Sequence, residues 1–206
     1  MELWLFLKSL GGVLIVAILL RVFVIEPFKI PSSSMVPTLQ IGDYILVYKL
    51  QYGIRLSWLP WVANPPYWVT HSPYQWNTPE RGDVVVFTRP DDPRTPAEDE
   101  AENYVIKRVV GIGGDSVEVR GTQLLVNEQP VVEPYARWSQ GGIPEGYFGP
   151  MKVPPGQLFL LGDNRDGSKD SRFWSEHFLD ARRVVGRAFF VFWSWDNWGR
   201  IGKVIR

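Results

Sequence analysis

Hydrophobic positions fall along this chain in two regimes. From Leu3 to Ile25 they run almost unbroken, interrupted by Lys8, Ser9, Gly11, Gly12 and Arg21. Past Glu26 they come in short runs separated by Gly, Pro, Asp and Asn. The first regime is long enough for the helix of roughly 20 apolar residues that crosses a bilayer. Lys8 and Arg21 lie near its two ends, where long cationic side chains reach the headgroups. No small-x-small site follows it, and the Arg-Val-Phe-Val-Ile-Glu after Leu20 suits an uncleaved anchor better than a removed leader. The two cations nearly balance across the run, so charge leaves its orientation open.

The second regime predicts strands. Ile41-Gly-Asp-Tyr-Ile-Leu-Val-Tyr48 is a turn followed by a β-rich run, and Arg81-Gly-Asp-Val-Val-Val-Phe-Thr88 repeats the pattern. Tyr104-Val-Ile-Lys-Arg-Val-Val110 is a strand closed by the turn Gly111-Ile-Gly-Gly-Asp115, which lacks the lysine and the following helix of a phosphate loop. Ser116–Arg120 and Gln123–Asn127 flank Gly121-Thr122 as a hairpin. Gln157–Leu161 and Val184–Trp193 complete the strands, while Pro90–Asn103 and residues 128–156 read as loop. Between 52 and 80, Trp58, Trp61, Trp68, Trp76, Tyr67 and Tyr74 alternate with prolines that rule out a second spanning helix. The fold expected is mainly β: a single N-terminal transmembrane helix over 1–25, then a β-rich catalytic domain over 26–206. Insertions are expected at 52–80 and at about 116–156.

Composition removes several chemistries. The 206 residues carry 22 basic and 22 acidic side chains with no long basic run, which argues against a nucleic-acid partner. There is no cysteine, so thiol nucleophiles, disulfides and thiolate metal sites are excluded. His71 and His177 are the only histidines, too few for most histidine-rich metal sites.

What chemistry remains centres on Glu26-Pro-Phe-Lys-Ile-Pro-Ser-Ser-Ser-Met-Val-Pro-Thr-Leu39, where the apolar run ends. Its prolines predict an extended, stiff strip, able to pair with a peptide edge to edge and to hold one hydroxyl at a fixed angle. A serine nucleophile needs a base. No Gly-x-Ser-x-Gly elbow is present, and a lysine whose pKa is lowered by burial suits the role better than either histidine. Lys107 is such a candidate; strand alternation sets it on the face opposite Ile106 and Arg108. The loop Gly162–Trp174 packs three aspartates, two arginines and two serines into thirteen residues, so internal ion pairs and hydrogen bonds are expected there.

Together these motifs resemble the bacterial type I signal peptidases (leader peptidases), membrane-bound Ser–Lys endopeptidases that remove signal peptides from exported preproteins. The likeness covers the apolar run, the serine strip, Ile41-Gly-Asp43, Arg81–Phe87, Tyr104–Gly111 and Gly162-Asp-Asn-Arg-Asp166 through Trp174. It implies Ser34 as nucleophile, Lys107 as general base, Ser32 as an oxyanion hydroxyl beside the Ser34 N–H, and Ser168 as the group orienting Lys107. It also implies structural pairs of Asp163 with Arg108 and Asp170 with Arg172. Cleavage would follow small-x-small, Ala-x-Ala-like sites, with shallow pockets lined by Phe28, Ile30, Met35, Leu39 and Ile106. Ser33 stands where glycine is common, Gly113 where proline is, Ser175 where glycine is, and Val105 replaces a frequent tyrosine.

The resemblance further implies no metal or organic cofactor. Expected partners are signal peptides, membrane lipid and the protein translocation machinery. The expected location is the bacterial cytoplasmic membrane, single-pass, with the domain on the exported side. Two rivals stand beside this reading: a self-cleaving Ser–Lys regulator and a catalytically silent tethered β module. The anchor and the absence of a DNA-reading helix argue against the first, and the full set of catalytic side chains argues against the second.

Overall fold

A computed structural model of the chain describes residues 2–54, 74–89, 104–138 and 147–206. The predicted loop Pro90–Asn103 and most of the aromatic-proline segment, including Trp58, Trp61, Trp68, Tyr67 and His71, lie outside the described residues. Helix α1 (Glu2–Leu19) continues through a π-turn, Leu20–Val24, into strand β1 (Ile25–Lys29). Strands β2 (Asp43–Tyr48), β3 (Gly53–Ile54), β4 (Tyr74–Gln75), β5 (Val84–Thr88), β6 (Tyr104–Ile112), β7 (Ser116–Arg120) and β8 (Gln123–Val126) follow. The last are β9 (Gln129–Pro130), β10 (Tyr147–Lys152), β11 (Gln157–Leu161), β12 (Leu179–Asp180) and β13 (Val184–Ser194). The domain is thus mainly β, as its short apolar runs predict. Among the described residues no helix is long and apolar enough to cross a membrane.

Seven strands form one sheet in the order β1-β2-β13-β5-β6-β11-β12, and four form a second, β10-β7-β8-β9. The continuous apolar runs follow from burial of the larger sheet on both faces. In β5, Val84 and Val86 join a core with Ile45, Ile106 and Val191, while Val85 and Phe87 join another with Val109, Leu160 and Trp174. In β11, Leu158 and Leu160 enter that second core, and Phe159 and Leu161 pack with Val117, Val119 and Leu124 of the smaller sheet. β11 therefore couples the two sheets, and the polar loop leaves from its end.

Two expectations change. The serine strip is extended only through β1, an edge strand, where Pro27 costs no internal ladder bond. Residues 34–38 are then consecutive turns, with Val36 N–H donating to Ser33 O and Leu39 N–H to Met35 O. The φ that proline fixes suits a turn as well as an extended chain, and these local bonds select the turn. The stretch 128–156, read as loop, contributes β9 and β10. β10 pairs with β7 and shifts register between Phe148 and Met151, a bulge that accommodates Gly149 and Pro150. Gly149 has φ of +87°, and a Cβ there would meet Val117 O.

Candidate active site

Lys107 sits where β6, still paired with β5 through Val85, loses its β11 partner. Leu161, the last residue of β11, pairs with Arg108, and Gly162 begins the polar loop, so one flank of Lys107 meets that loop. From the other side the turn 34–38 brings in Ser34. Lys107 Nζ donates to Ser34 Oγ at 2.8 Å and to Ile106 O at 2.9 Å, with Lys107 4 % and Ser34 7 % exposed. Burial pushes the Lys107 ammonium down to about 8; Asp170 and Asp163 favour the charge, and Arg89 opposes it. A hydroxyl within hydrogen-bond reach of an amine that is neutral in mildly alkaline solution can lose its proton to that amine.

The turn is clipped in place by its backbone. Asn164 N–H donates to Ser34 O at 3.0 Å, and Asn164 Nδ2 to Ser33 O at 3.2 Å. Ser32 is exposed, with its Oγ 3.4 Å from Ser34 Oγ. Ser33 is exposed too, and only its carbonyl is engaged.

Ser168 departs from expectation. It is buried against Gly162, but its Oγ has no hydrogen-bond partner, so the expected bond to Lys107 is not formed. The lysine's observed bonds go to Ser34 Oγ and Ile106 O instead. An ammonium has three N–H groups, and these two bonds use two of them.

The expected pocket residues also divide. Phe28, Ile30, Met35, Leu39 and Ile106 share one apolar cluster. Met35 and Leu39 are 0 % exposed and Ile30 is buried, so these three are core beneath the serine turn and offer no surface to a peptide. Half-buried Phe28, packed edge-on against Tyr104 at 5.3 Å, and the edge of Ile106 remain available.

Around the pair lies a framework of buried charge. Arg108 donates to both oxygens of Asp163, at 2.8 and 2.7 Å, with both side chains 0 % exposed. It also donates to Gly82 O and Arg206 O. Arg172 forks onto Asp170 at 2.8 and 2.9 Å, and Asp170 accepts the Gly162 N–H at 3.0 Å. Forked guanidinium–carboxylate pairs fix orientation as well as charge, which a loop of this polarity needs in order to pack. Arg200 holds Asp43 and donates to Thr38 O at 2.8 Å, closing the far end of the serine turn.

Sequence reasoning missed Asn164, Arg165, Glu133, Tyr135 and Arg137, all of which meet at this loop. Its density of charge was the available signal; Glu133 and Tyr135 lie in a stretch with no motif at all. His177 Nδ1 lies 2.7 Å from Ser171 O, so its ring is engaged away from Lys107. Among the described residues no group of three or more His, Asp or Glu side chains is arranged to hold a metal ion.

Residues 3–193 match the family described as signal peptidase, peptidase S26. Signal peptidase I of Pseudomonas fluorescens is 35 % identical over 238 residues, covering 96 % of this chain and 78 % of that protein. Signal peptidase I of Leptolyngbya laminosa is 34 % identical over 198 residues, covering 95 % and 82 %. A crystal structure of a signal peptidase I from Enterococcus faecalis aligns over 54 % of this chain and 97 % of its own, at 27 % identity and a TM-score of 0.39. On the family match and the two relatives, this chain belongs to the signal peptidase I family, and it is a serine peptidase that cleaves signal peptides.

Proposed function

We propose that the enzyme hydrolyses its substrate through a Ser34–Lys107 dyad, at small-x-small sites, while held at a membrane by its first 25 residues. The observation that carries the dyad is the 2.8 Å approach of a buried lysine, shifted toward neutrality, to a serine hydroxyl. Neutral Lys107 takes the Ser34 proton as Oγ attacks the scissile carbonyl carbon. The oxyanion is received by the Ser34 N–H and the Ser32 hydroxyl, whose Oγ lies 3.4 Å from Ser34 Oγ. Lys107 then protonates the departing amine, and the acyl group on Ser34 leaves by attack of a water that Lys107 deprotonates. Ser168 Oγ, buried and unpaired, is matched to the third N–H of a protonated Lys107 and would steady it as charge develops.

Small-x-small selectivity fits the same surroundings. With Met35, Leu39 and Ile30 closed into the core, Phe28 and Ile106 are the members of the expected pocket left to meet a peptide, which suits small side chains. Anchoring is supported by the run Leu3–Ile25 and by α1, on which Trp4, Phe6, Leu10, Val13, Ile15 and Ile18 are among the exposed large apolar side chains. Lipid contact by the domain is supported by a groove of about 670 Å³ on the outer sheet face next to β1, lined by Pro27, Lys29, Tyr44, Phe192, Trp193 and Trp195. In this reading the domain stands on the exported side of a bacterial cytoplasmic membrane, where preproteins emerge from the translocation machinery.

The decisive experiment is cleavage of a synthetic preprotein with sequenced product termini. Ser34→Ala and Lys107→Ala should each abolish cleavage, and Ser33→Ala should retain most of it because the Ser33 side chain is exposed. An active Ser34→Ala enzyme would sink the dyad.

A further inference from the structure

Three arginines stand around the Ser34–Lys107 pair, and one segment of the smaller lobe, residues 133–138, touches all of them. The Tyr135 ring lies 3.7 Å from the Arg108 guanidinium carbon, and the Trp138 ring is 5.8 Å from that of Arg165 and 5.7 Å from that of Arg172. Glu133 accepts a forked pair from Arg165, at 2.7 and 2.6 Å, with Arg165 0 % exposed. The backbone adds a short ladder: Arg137 N–H donates to Asp163 O at 2.7 Å, and Arg165 N–H to Arg137 O at 2.9 Å. Between those two rungs sits Asn164, whose N–H holds Ser34 O. The segment is joined to the smaller sheet by Val131 N–H donating to Leu124 O.

Glu133 is thus two short steps from the nucleophile without any recorded contact to Ser34 or Lys107. Its carboxylate compensates a fully buried guanidinium, and breaking such a pair leaves an uncompensated buried charge. Arg165 also donates through Nε to Gly162 O at 3.0 Å, and Arg172 donates to Arg165 O at 2.6 Å. An Arg165 that turns to seek other acceptors therefore drags the Gly162–Arg165 backbone. That backbone has no slack, because even a Cβ on Gly162 would meet Ser168 and Ser34 O.

We propose that Glu133 is a positioning residue for signal-peptide cleavage: by holding Arg165 it fixes the 163–165 backbone that clips Ser34, and so sets the aim of Ser34 Oγ. This rests on the Ser34–Lys107 reading above. Displacing a reacting group by about 1 Å can cost on the order of a hundredfold in rate. The defect belongs in kcat, since the substrate-binding edge formed by Phe28 and Ile106 is untouched.

The test uses the full-length enzyme in detergent and a signal-peptide substrate. Glu133→Gln keeps shape but not charge, and kcat should fall at least about tenfold with KM within about twofold. Glu133→Ala should fall further. The acidic limb of the pH profile should stay in place, because Asp163, Asp170 and Arg89 still face Lys107. Arg165→Lys, which loses the fork, should lower kcat in the same way, and combining it with Glu133→Gln should cost little more than the worse single change. A kcat at the wild-type level in Glu133→Gln, with only the melting temperature lowered, overturns the proposal, as do additive losses in the double variant. If Glu133→Ala does not fold, the Gln and Lys variants decide alone. Ser34→Ala and Lys107→Ala run alongside: cleavage by either overturns the dyad itself. Both inactive, with Glu133→Gln at full kcat, overturns only the positioning role.

Discussion

A lysine amine enclosed at 4 % exposure pays for its charge in desolvation, and that cost has two measurable consequences. The first is catalytic. With a Lys107 pKa of about 8, kcat/KM should rise roughly tenfold per pH unit up to that point and flatten beyond it. At pH 7 about a tenth of the free enzyme would then hold the neutral amine. A pH profile of the wild type checks this, and a profile with no acidic limb would remove Lys107 from the role of base. The second is thermodynamic. The folded pKa lies below the unfolded value of 10.5, so the unfolded chain binds more protons between the two, and stability rises with pH across that window. Below pH 8 the charged lysine is buried at full cost. Lys107→Met should therefore be inactive yet more stable there, by up to about 3 kcal/mol, with the gain shrinking from pH 8 to 10.5. Denaturant melts at pH 6.5 and 9.5 separate the two regimes. Arg108 and Asp163 make the opposite case, since each is buried and compensated by the other. Asp163→Ala should lose about 3–5 kcal/mol, read in the same melts.

Gly162 concentrates what the elements do together: it directly follows β11, donates its N–H to Asp170 of the loop, and packs on the Ser34 carbonyl. Gly162→Ala should lower kcat at least about tenfold by pushing the loop from the serine turn, with a loss of stability as well. Wild-type kinetics in that variant would mean the loop can yield. Strands β2, β5, β6, β11 and β13 were legible because their β-branched, apolar runs are bounded by Gly-Asp or similar turns. β10 was not legible, since Gly149 and Pro150 erase both alternation and propensity, and only a bulge against β7 rescues the pairing. The serine strip misled in conformation, because proline fixes φ while ψ is left to hydrogen bonds that only the fold supplies. Ser34 and Lys107 could be picked out from motif and chemistry. Their supports Glu133 and Tyr135 could not, because a single carboxylate or ring in a loop carries no pattern until the chain brings an arginine to it. The pocket residues divide for a different reason: an apolar residue beside a nucleophile reads the same whether it can face a substrate, as Phe28 can, or lies in the core, as Met35 and Leu39 do.

At the scale of the molecule, the remaining question is what meets the outer face of the β1-β2-β13 sheet. Among the described residues the strands and core clusters begin at or after Ile25, so removing residues 1–24 leaves them intact. That truncated form still carries Trp195 and Trp198, which are 62 % and 69 % exposed, beside Tyr44, Phe192 and a Trp193 whose indole N–H has no hydrogen-bond partner. Trp76, the one described tryptophan of the aromatic-proline segment, is half exposed and donates to Leu50 O. Tryptophan is satisfied where an apolar ring and a polar N–H are both accommodated, at the headgroup layer. β1 follows the apolar run directly, so if that run is the anchor proposed above, this face stands within a few residues of the bilayer. The truncated form should bind vesicles of phosphatidylcholine and phosphatidylglycerol, with a blue shift of tryptophan emission. Trp195→Ser combined with Trp198→Ser should weaken that binding at least about fivefold while leaving the melt cooperative, because neither ring is buried. Cleavage of a vesicle-bound preprotein should fall with it, and cleavage of a short soluble peptide should not. If the truncated form ignores vesicles, or the double substitution leaves vesicle binding unchanged, the aromatic face does not meet lipid and the anchor alone brings the site to the membrane.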